Sequence, residues 1–189
     1  VERILRAKKR WIHPAEPESA GRAEDFAAAA RMAREAVTAV RGKACRASEK
    51  TFFCGCADYR MTQASNADPE AKAFPEYMGA RFGAKFAVCS KDPDEKEIAE
   101  LVKCADGAGN IIFSSCNAHL FRGQLALAAA LAEKGVPMTV AALRNPYDLP
   151  LMPENAALLA AFDYSRDSLA ALADVFSGGN CCGVMPAAL

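Results

Sequence analysis

Short apolar runs alternate with amphipathic segments along most of this chain. The first long segment, Glu24–Val40, is rich in Ala and carries its apolar residues at helical spacing, and Gly42 is placed to end that helix. Four later runs are short and apolar, which is typical of buried strands, and a fifth, Ala157–Phe162, is a weaker strand candidate because Ala and Leu favour helix. The four runs are Thr51–Ala57, Ala84–Cys89, Asn110–Cys116 and Pro137–Leu143.

Helical patterns separate these runs. Asp92 is placed to cap the helix that Pro93 opens, and Gly135 to close the helix before it. Strands and helices in alternation indicate a parallel sheet covered on both faces. The predicted fold is therefore α/β: a Rossmann-like three-layer sandwich with a mainly parallel sheet of about five or six strands, helices on both faces, and a helix and linker in front. The helical patterns cover roughly Pro69–Phe82, Pro93–Cys104, Gly123–Lys134 and Arg166–Phe176.

The first residues look like the inside of a helix. Val1–Ile12 is amphipathic and has no N-cap residue before it, and His13–Ser19, with two prolines and no apolar periodicity, is typical of a linker. We therefore expect a trimmed chain with further sequence upstream. Residues 1–22 would be the remnant of an upstream helix plus a linker, and residues 23–189 a C-terminal α/β domain.

Charge excludes two classes of partner. The 189 residues include 23 Lys and Arg and 23 Asp and Glu, so the formal net charge is zero and no global field attracts nucleic acid or an anionic membrane. The longest apolar runs fall well short of the ~20 residues that cross a bilayer. We expect neither nucleic acid nor a membrane as a partner.

The eight cysteines are expected to be reduced. Four of them lie in apolar runs, where a free thiol behaves as a small hydrophobic side chain. Their spacing lacks the C-x2-C pairs of zinc sites, so no metal is expected. Reduced thiols suit the cytoplasm, although export of a parent protein would remove that argument.

Polar residues follow the predicted strands, where parallel sheets bind ligands. They form the candidate crevice or domain interface, and the alternative is that every strand end turns into a polar loop. Neither G-x-G-x-x-G nor the phosphate-binding P-loop motif occurs, so no cofactor is expected. The candidate residues are Asp58, His119, Arg144, Asn145, Tyr147 and Asp148.

No catalytic residue is assigned. Ser114 and Ser115 lie near His119 in sequence, but the G-x-S-x-G motif is absent and both serines fall inside a strand run, so we expect them to be packed. Retaining glycosidases need two carboxylates about 5 Å apart. Asp148 and Asp163, like Asp58, qualify by residue type, but no spacing pairs any two of the three.

Several segments together resemble the C-terminal domain of family 3 glycoside hydrolases, in particular the bacterial β-N-acetylglucosaminidase branch. Val1–Lys8 resembles the last helix of that family's catalytic barrel, and Ala33–Val40 resembles the helix that leads into the second domain. The most specific match is Val140–Asp148, and Tyr164–Leu172 and Gly183–Pro186 follow in the family's order. Ser177–Asn180 and Gly183-Val184 depart from the family's closing motifs.

The resemblance implies that the catalytic residues lie elsewhere. In this family the nucleophilic Asp belongs to the N-terminal barrel, and the acetylglucosaminidase branch takes its acid/base Asp–His pair from the same barrel. Some glucosidases take an acid/base Glu from the second domain, but no residue here matches it. We expect a non-catalytic scaffold domain whose partner is the barrel of the same polypeptide. Carbohydrate is the expected ligand at the interface of the two domains. The alternative is a free-standing domain that binds a small molecule or a protein. In the first case Asp148 is expected to hold a turn rather than a sugar.

Overall fold

The computed structural model describes residues 1–11, 22–57 and 72–186. The predicted linker at His13–Ser19 and the candidate residue Asp58 lie outside these residues. The described helices are α1 (Glu2–Trp11), α2 (Ala23–Ala36), α3 (Phe74–Phe82), α4 (Glu95–Cys104), α5 (Arg122–Ala132), the 3₁₀ helix Pro146–Leu151 and α6 (Arg166–Phe176). The strands are β1 (Thr38–Arg41), β2 (Thr51–Cys56), β3 (Lys85–Cys89), β4 (Asn110–Ser115), β5 (Met138–Ala142) and β6 (Ala157–Ala160).

The strands form one sheet of six in the order β1-β6-β5-β4-β2-β3. All neighbours are parallel except β1, which runs antiparallel to β6. Helices cover both faces: Leu101 of α4 and Leu127 of α5 pack in one buried cluster, and Leu172 of α6 packs in the other. The predicted α/β sandwich is therefore confirmed, including the weakly indicated strand β6.

The strands are apolar along their whole length because both faces of the sheet are covered. Phe52 of β2 and Phe113 of β4 point to one cluster, whereas the adjacent Phe53 and Ile112 point to the other. All four side chains are at most 1% exposed. This continuous burial explains why the strand runs in the sequence lack alternation with polar residues.

The predicted helix Glu24–Val40 is wrong at its end. Helix α2 stops at Ala36, and the residues after it form the edge strand β1, with Val37 only 1% exposed. Val37, Thr38 and Val40 are all β-branched, which favours a strand over a helix when a neighbouring strand is available. The Arg41 side chain donates to the carbonyls of Pro153 and Ala156, and this contact fastens β1 beside β6. Gly42, with a φ of +68°, therefore ends a strand rather than a helix.

The predicted cap of α4 is also shifted. Asp94 is the N-cap residue, because its carboxylate accepts from the backbone N–H of Glu97 at 2.8 Å. Asp92 instead accepts from the backbone N–H of Gly123 at 2.7 Å, at the start of α5. The carboxylate that was expected to cap one helix therefore joins the loop before α4 to the first turn of α5.

Helix α1 has an apolar side that is left exposed within the part of the chain that the structure describes. None of its residues is buried, and Ile4, Leu5 and Trp11 are between 59% and 73% exposed. Its polar side is basic and carries an exposed Arg6–Glu2 ion pair. The folded core therefore consists of the sheet and the helices from α2 onwards.

A glycine fixes how closely β2 and β4 approach. Gly55 pairs with Ser114, and a Cβ at Gly55 would lie 1.9 Å from the Ser114 Oγ and 2.8 Å from its carbonyl oxygen. We expect Gly55→Ala to lower the free energy of unfolding by about 1–3 kcal/mol, because the strands must move apart. Urea unfolding measures the change. Gly109→Ala is the matched control, since its Cβ would meet nothing nearer than 3.4 Å, and equal losses in both variants would contradict the argument.

Candidate functional site

The polar edge of the sheet includes the point at which the chain reverses its direction across the sheet. In sequence order the five parallel strands are β2 to β6, and the chain steps outward from β2 to β3 and then back across to β4. The carboxyl ends of β2 and β4 are therefore neighbours whose following loops leave in opposite directions. Open α/β sheets bind ligands at such a switch point.

Two loops at this edge are joined through the Asp148 carboxylate. Its Oδ1 accepts from the backbone N–H of His119 at 2.9 Å and lies 2.7 Å from the His119 Nδ1. The Asp148 side chain is 1% exposed and that of His119 is 27% exposed. Because a carboxylate accepts hydrogen bonds, Nδ1 of His119 is assigned as the donor to Asp148 Oδ1. The result is an imidazole held in one orientation by a buried acid.

Asparagines shape the same two loops. Asn117 has a φ of +55°, a left-handed conformation that Asn tolerates better than most residues, and its carbonyl accepts from Leu120. Asn145 donates to the Asn117 side-chain oxygen at 2.6 Å and accepts from the backbone N–H of Tyr147. The loop after β4 and the 3₁₀ helix after β5 are thus bonded at two places, and Tyr147 lies edge-on to the His119 ring at 6.2 Å.

Arg144 lies at the same edge but has a different neighbour. Its guanidinium carbon is 5.3 Å from the centre of the Tyr164 ring, and its Nη1 is buried with no hydrogen-bond partner. Tyr164 forms part of a small cleft at the switch point. The cleft is lined by Cys56, Lys72, Ala73, Phe74, Cys116, Leu143, Tyr164 and Leu169.

The sequence predicted most of the residues at this edge but not which of them contact each other. The structure brings His119, Asn145, Tyr147 and Asp148 together, and it places Arg144 against Tyr164. Asn145 and Asp148 both bond backbone amides, as the turn interpretation expected, although the amide that Asp148 holds lies 29 residues away. Tyr164 follows a predicted strand, so the search for polar residues after strands could have found it. No sequence pattern indicated Lys72.

The carboxylate of Asp163 also serves the backbone. Burial alone would raise its pKa, but hydrogen bonds from Ser165, Ser168 and the Tyr164 backbone outweigh burial and hold the pKa of Asp163 below its usual value. Asp163 Oδ2 accepts from the Ser168 Oγ at 3.0 Å. This carboxylate is therefore ionised at neutral pH and engaged at the start of α6, unlike a general acid.

The buried thiols and hydroxyls near the edge are poor nucleophiles. A hydrogen bond with Cys116, and then burial, raises the pKa of the Cys56 thiol; a bond with Cys54, and then burial, does the same for Cys89. These thiols stay neutral, and the thiolate is the reactive form. Ser114 and Ser115 are at most 1% exposed, as expected for packed residues. Within residues 1–11, 22–57 and 72–186, no group of three His, Cys, Asp or Glu side chains could hold a metal ion.

None of the helices in the described ranges has both the length and the apolar character needed to cross a membrane.

Solved structures of similar fold include glycoside hydrolases. A glycoside hydrolase family 3 β-N-acetylglucosaminidase from Paenibacillus sp. str. FPU-7 matches with a TM-score of 0.78 at 21% identity, over 98% of this chain and 38% of that one. A β-glucosidase from Listeria innocua matches with a TM-score of 0.68 at 12% identity, over 93% of this chain and 28% of that one. No protein-family model and no curated protein matches the sequence.

These likenesses concern the fold. At such identities the fold is shared, so the expected resemblance to the C-terminal domain of family 3 enzymes is confirmed for the architecture. A fungal multi-domain GH3 β-N-acetylglucosaminidase also matches, with a TM-score of 0.63 at 16% identity, over 94% of this chain and 21% of that one. The chain thus spans 38% or less of these neighbours' length.

Removing the Asp148 carboxylate should destabilise the edge. In Asp148→Ala the His119 backbone N–H and ring N–H lose their shared acceptor, so we expect the free energy of unfolding to fall by about 2–4 kcal/mol. Asp174→Ala is the control, because that residue is exposed on α6 and its loss should be below about 1 kcal/mol. Denaturant titration measures both. Similar losses would show that Asp148 is not a structural centre.

Thiol accessibility should separate the exposed cysteine from the buried ones. Cys182 is exposed, whereas Cys54, Cys56, Cys89 and Cys116 are buried. In native protein, Ellman's reagent should modify Cys182 rapidly. It should modify the buried four at least about 100-fold more slowly, since they become accessible only when the protein opens locally. Cys182→Ser should remove the fastest phase and leave the partly exposed Cys45, Cys104 and Cys181 to react at intermediate rates. Rapid labelling of any of the four strand cysteines would contradict the neutral, buried assignment.

Proposed function

We propose that this chain is the C-terminal α/β domain of a glycoside hydrolase of the β-N-acetylglucosaminidase kind, and that it stabilises a catalytic barrel supplied by the rest of the polypeptide. One observation carries the proposal: the fold matches family 3 enzymes over 98% of this chain but over only 38% of the enzyme. The remaining length of such an enzyme accommodates a separate catalytic domain. Neither Asp148 nor Asp163 is free to act as an acid/base pair, which agrees with chemistry performed elsewhere.

Helix α1 supports the proposal through its uncovered side. Ile4, Leu5 and Trp11 lie exposed on a helix with no buried residue. An amphipathic helix normally buries its apolar side, and exposed apolar surface marks a contact with another domain or molecule. We propose that this side belongs to the barrel.

The polar edge of the sheet is proposed as a second part of the interface. Leu120, Tyr147 and Leu151 are each more than half exposed, and they lie on the loops that Asp148 and His119 join. Exposed apolar side chains around an oriented imidazole suit contact with the barrel, and carbohydrate is the proposed ligand where the two domains meet. Eight free thiols favour a cytoplasmic location for the whole protein.

The alternative function is a free-standing binding domain, and the His119–Asp148 crevice is the observation that favours it. Under that alternative the crevice would bind a ligand in this chain alone, and α1 would contribute nothing to it. The two functions therefore differ in what the upstream polypeptide supplies.

Glycosidase activity tests the proposed function. We expect this chain to be inactive on chromogenic N-acetylglucosaminides and glucosides, and the same chain extended to its native start to be active. In the extended protein, Ile4→Gln with Leu5→Gln should lower the melting temperature by several degrees, since about 2 kcal/mol of apolar contact is lost.

The control for that test is Arg3→Gln, on the basic side of α1, which should leave the melting temperature unchanged. Activity of this chain alone would overturn the scaffold role. Inactivity of both proteins would leave the binding domain as the better explanation.

A further inference from the structure

The two edges of the sheet are protected differently. Strand β1 is an edge strand of 4 residues, and its register with β6 shifts between Ala39 and Arg41. The chain also returns to this edge, where the Gly183 backbone N–H donates to the Val37 carbonyl at 2.9 Å. Short length, an irregular register and a covering segment are usual ways to keep an edge from pairing with another chain.

Strand β3, at the opposite edge, lacks these protections within the described ranges. It pairs with β2 in continuous parallel register, and no described residue makes a hydrogen bond to the outer side of its backbone. Phe86 and Val88 are 45% and 36% exposed, although they lie in a sheet whose central strands are buried. A regular edge with exposed apolar side chains is a template for adding another strand.

The side chains of β3 divide between its two faces. Phe86 and Val88 lie on the α3 side, where the Phe86 ring fits against Gly79: a Cβ on Gly79 would lie 2.3 Å from the Phe86 Cδ1. Lys85 and Cys89 lie on the opposite side, where Cys89 belongs to the buried cluster that α4 covers. One face of this edge is therefore apolar, and the other begins with a cation.

The two ends of β3 carry opposite charges on the α4 side. The Lys85 side chain makes no hydrogen bond or ion pair with any residue in the described ranges, and Asp106 nearby is already paired with Lys134. At the other end, the Glu97 carboxylate accepts from both the N–H and the hydroxyl of Ser90 at 2.6 Å. Among the described residues no cation pairs with Glu97. A second β3 in the reverse direction would bring each lysine toward the other copy's glutamate.

We propose that β3 pairs with β3 of a second copy of this chain, antiparallel about a two-fold axis at Ala87. The two six-stranded sheets would then be continuous. In this register Phe86 of each copy faces Val88 of the other, and pairs of an aromatic with a β-branched side chain are favourable across strands. Because a two-fold axis repeats every contact, both pairs form at once.

Charge complementarity favours a second copy as the occupant. In the same register Lys85 of one copy lies opposite Cys89 of the other, beside the Ser90–Glu97 contact, so two opposite-charge contacts form by symmetry. The strand is therefore complementary to itself on both faces. The proposal concerns the described domain alone and does not rest on the proposed barrel.

Sedimentation equilibrium of this chain tests the pairing. We expect a reversible dimer with a dissociation constant on the order of 10 μM, because an interface built on one strand pair is small. Val88→Lys should raise that constant about tenfold or more, since it places a charge opposite Phe86 of the other copy. Val184→Lys is the matched control, because it makes the same exchange at a residue that is 86% exposed, next to Gly183 at the opposite edge.

A charge exchange tests the register. Lys85→Glu should weaken the dimer about tenfold, because the new carboxylate would face Glu97 of the other copy. Adding Glu97→Lys to the same chain should restore the dissociation constant to within about threefold of the unmodified value, since the two contacts are then formed with their charges reversed.

Several results would overturn the pairing. A monomer at every concentration up to about 200 μM would do so, since that is about twentyfold above the expected dissociation constant. Equal weakening in Val184→Lys would show an effect of general charge, and a charge exchange without restoration would overturn the antiparallel register. If circular dichroism shows that Val88→Lys does not fold, Lys85→Glu, at an exposed residue, decides with its charge exchange.

The extended protein separates this proposal from the proposed function. A dimer that forms in this chain and is absent from the extended protein would assign β3 to the upstream domain and overturn the pairing of two copies. Glycosidase activity of the extended protein does not depend on dimerisation, so failure of one proposal is distinguishable from failure of the other.

Discussion

Parallel strands impose the constraint on which this structure depends. Two parallel neighbours cannot be joined by a tight turn, so each connection must cross the sheet, usually as a helix. Five strands joined in this way cover both faces with helices and bring every carboxyl end to one edge. His119 follows β4 and Asp148 follows β5, so residues 29 apart in sequence meet because their strands are neighbours. The chemistry of the edge is therefore a consequence of the sheet's topology.

Burial decides which polar groups can exist at that edge. Asp148 is 0% exposed and is tolerated because Oδ1 accepts two N–H groups of His119. Gln124 is also fully buried, and its side chain is satisfied by hydrogen bonds with the backbone N–H and carbonyl of Cys116. The compensation is incomplete for two side chains at this edge, since Asp148 Oδ2 and Arg144 Nη1 are buried without a hydrogen-bond partner.

The sequence carried the fold better than the site. Buried parallel strands are short continuous apolar runs, so β2 to β5 could be located from composition alone. Strand β1 could not be located in this way, because Val37–Arg41 continues an Ala-rich helical pattern. This segment becomes a strand only through its contact with β6. Strand ends pointed to His119 and Asp148, but no spacing rule joins residues 29 apart. The stacking of Arg144 on Tyr164 depends on side-chain packing, which a sequence does not display.

Helix α1 shows the limit of what the described core can stabilise. It has ten residues, and isolated helices shorter than about 12–15 residues are marginal in water even with favourable composition. A single Arg6–Glu2 pair on its exposed side adds only about 0.2–0.5 kcal/mol. Most helical stability in proteins comes from packing an apolar side, and here Ile4, Leu5 and Trp11 pack against nothing in the core. Under the proposed function, α1 would be stabilised by packing this apolar side on the catalytic domain.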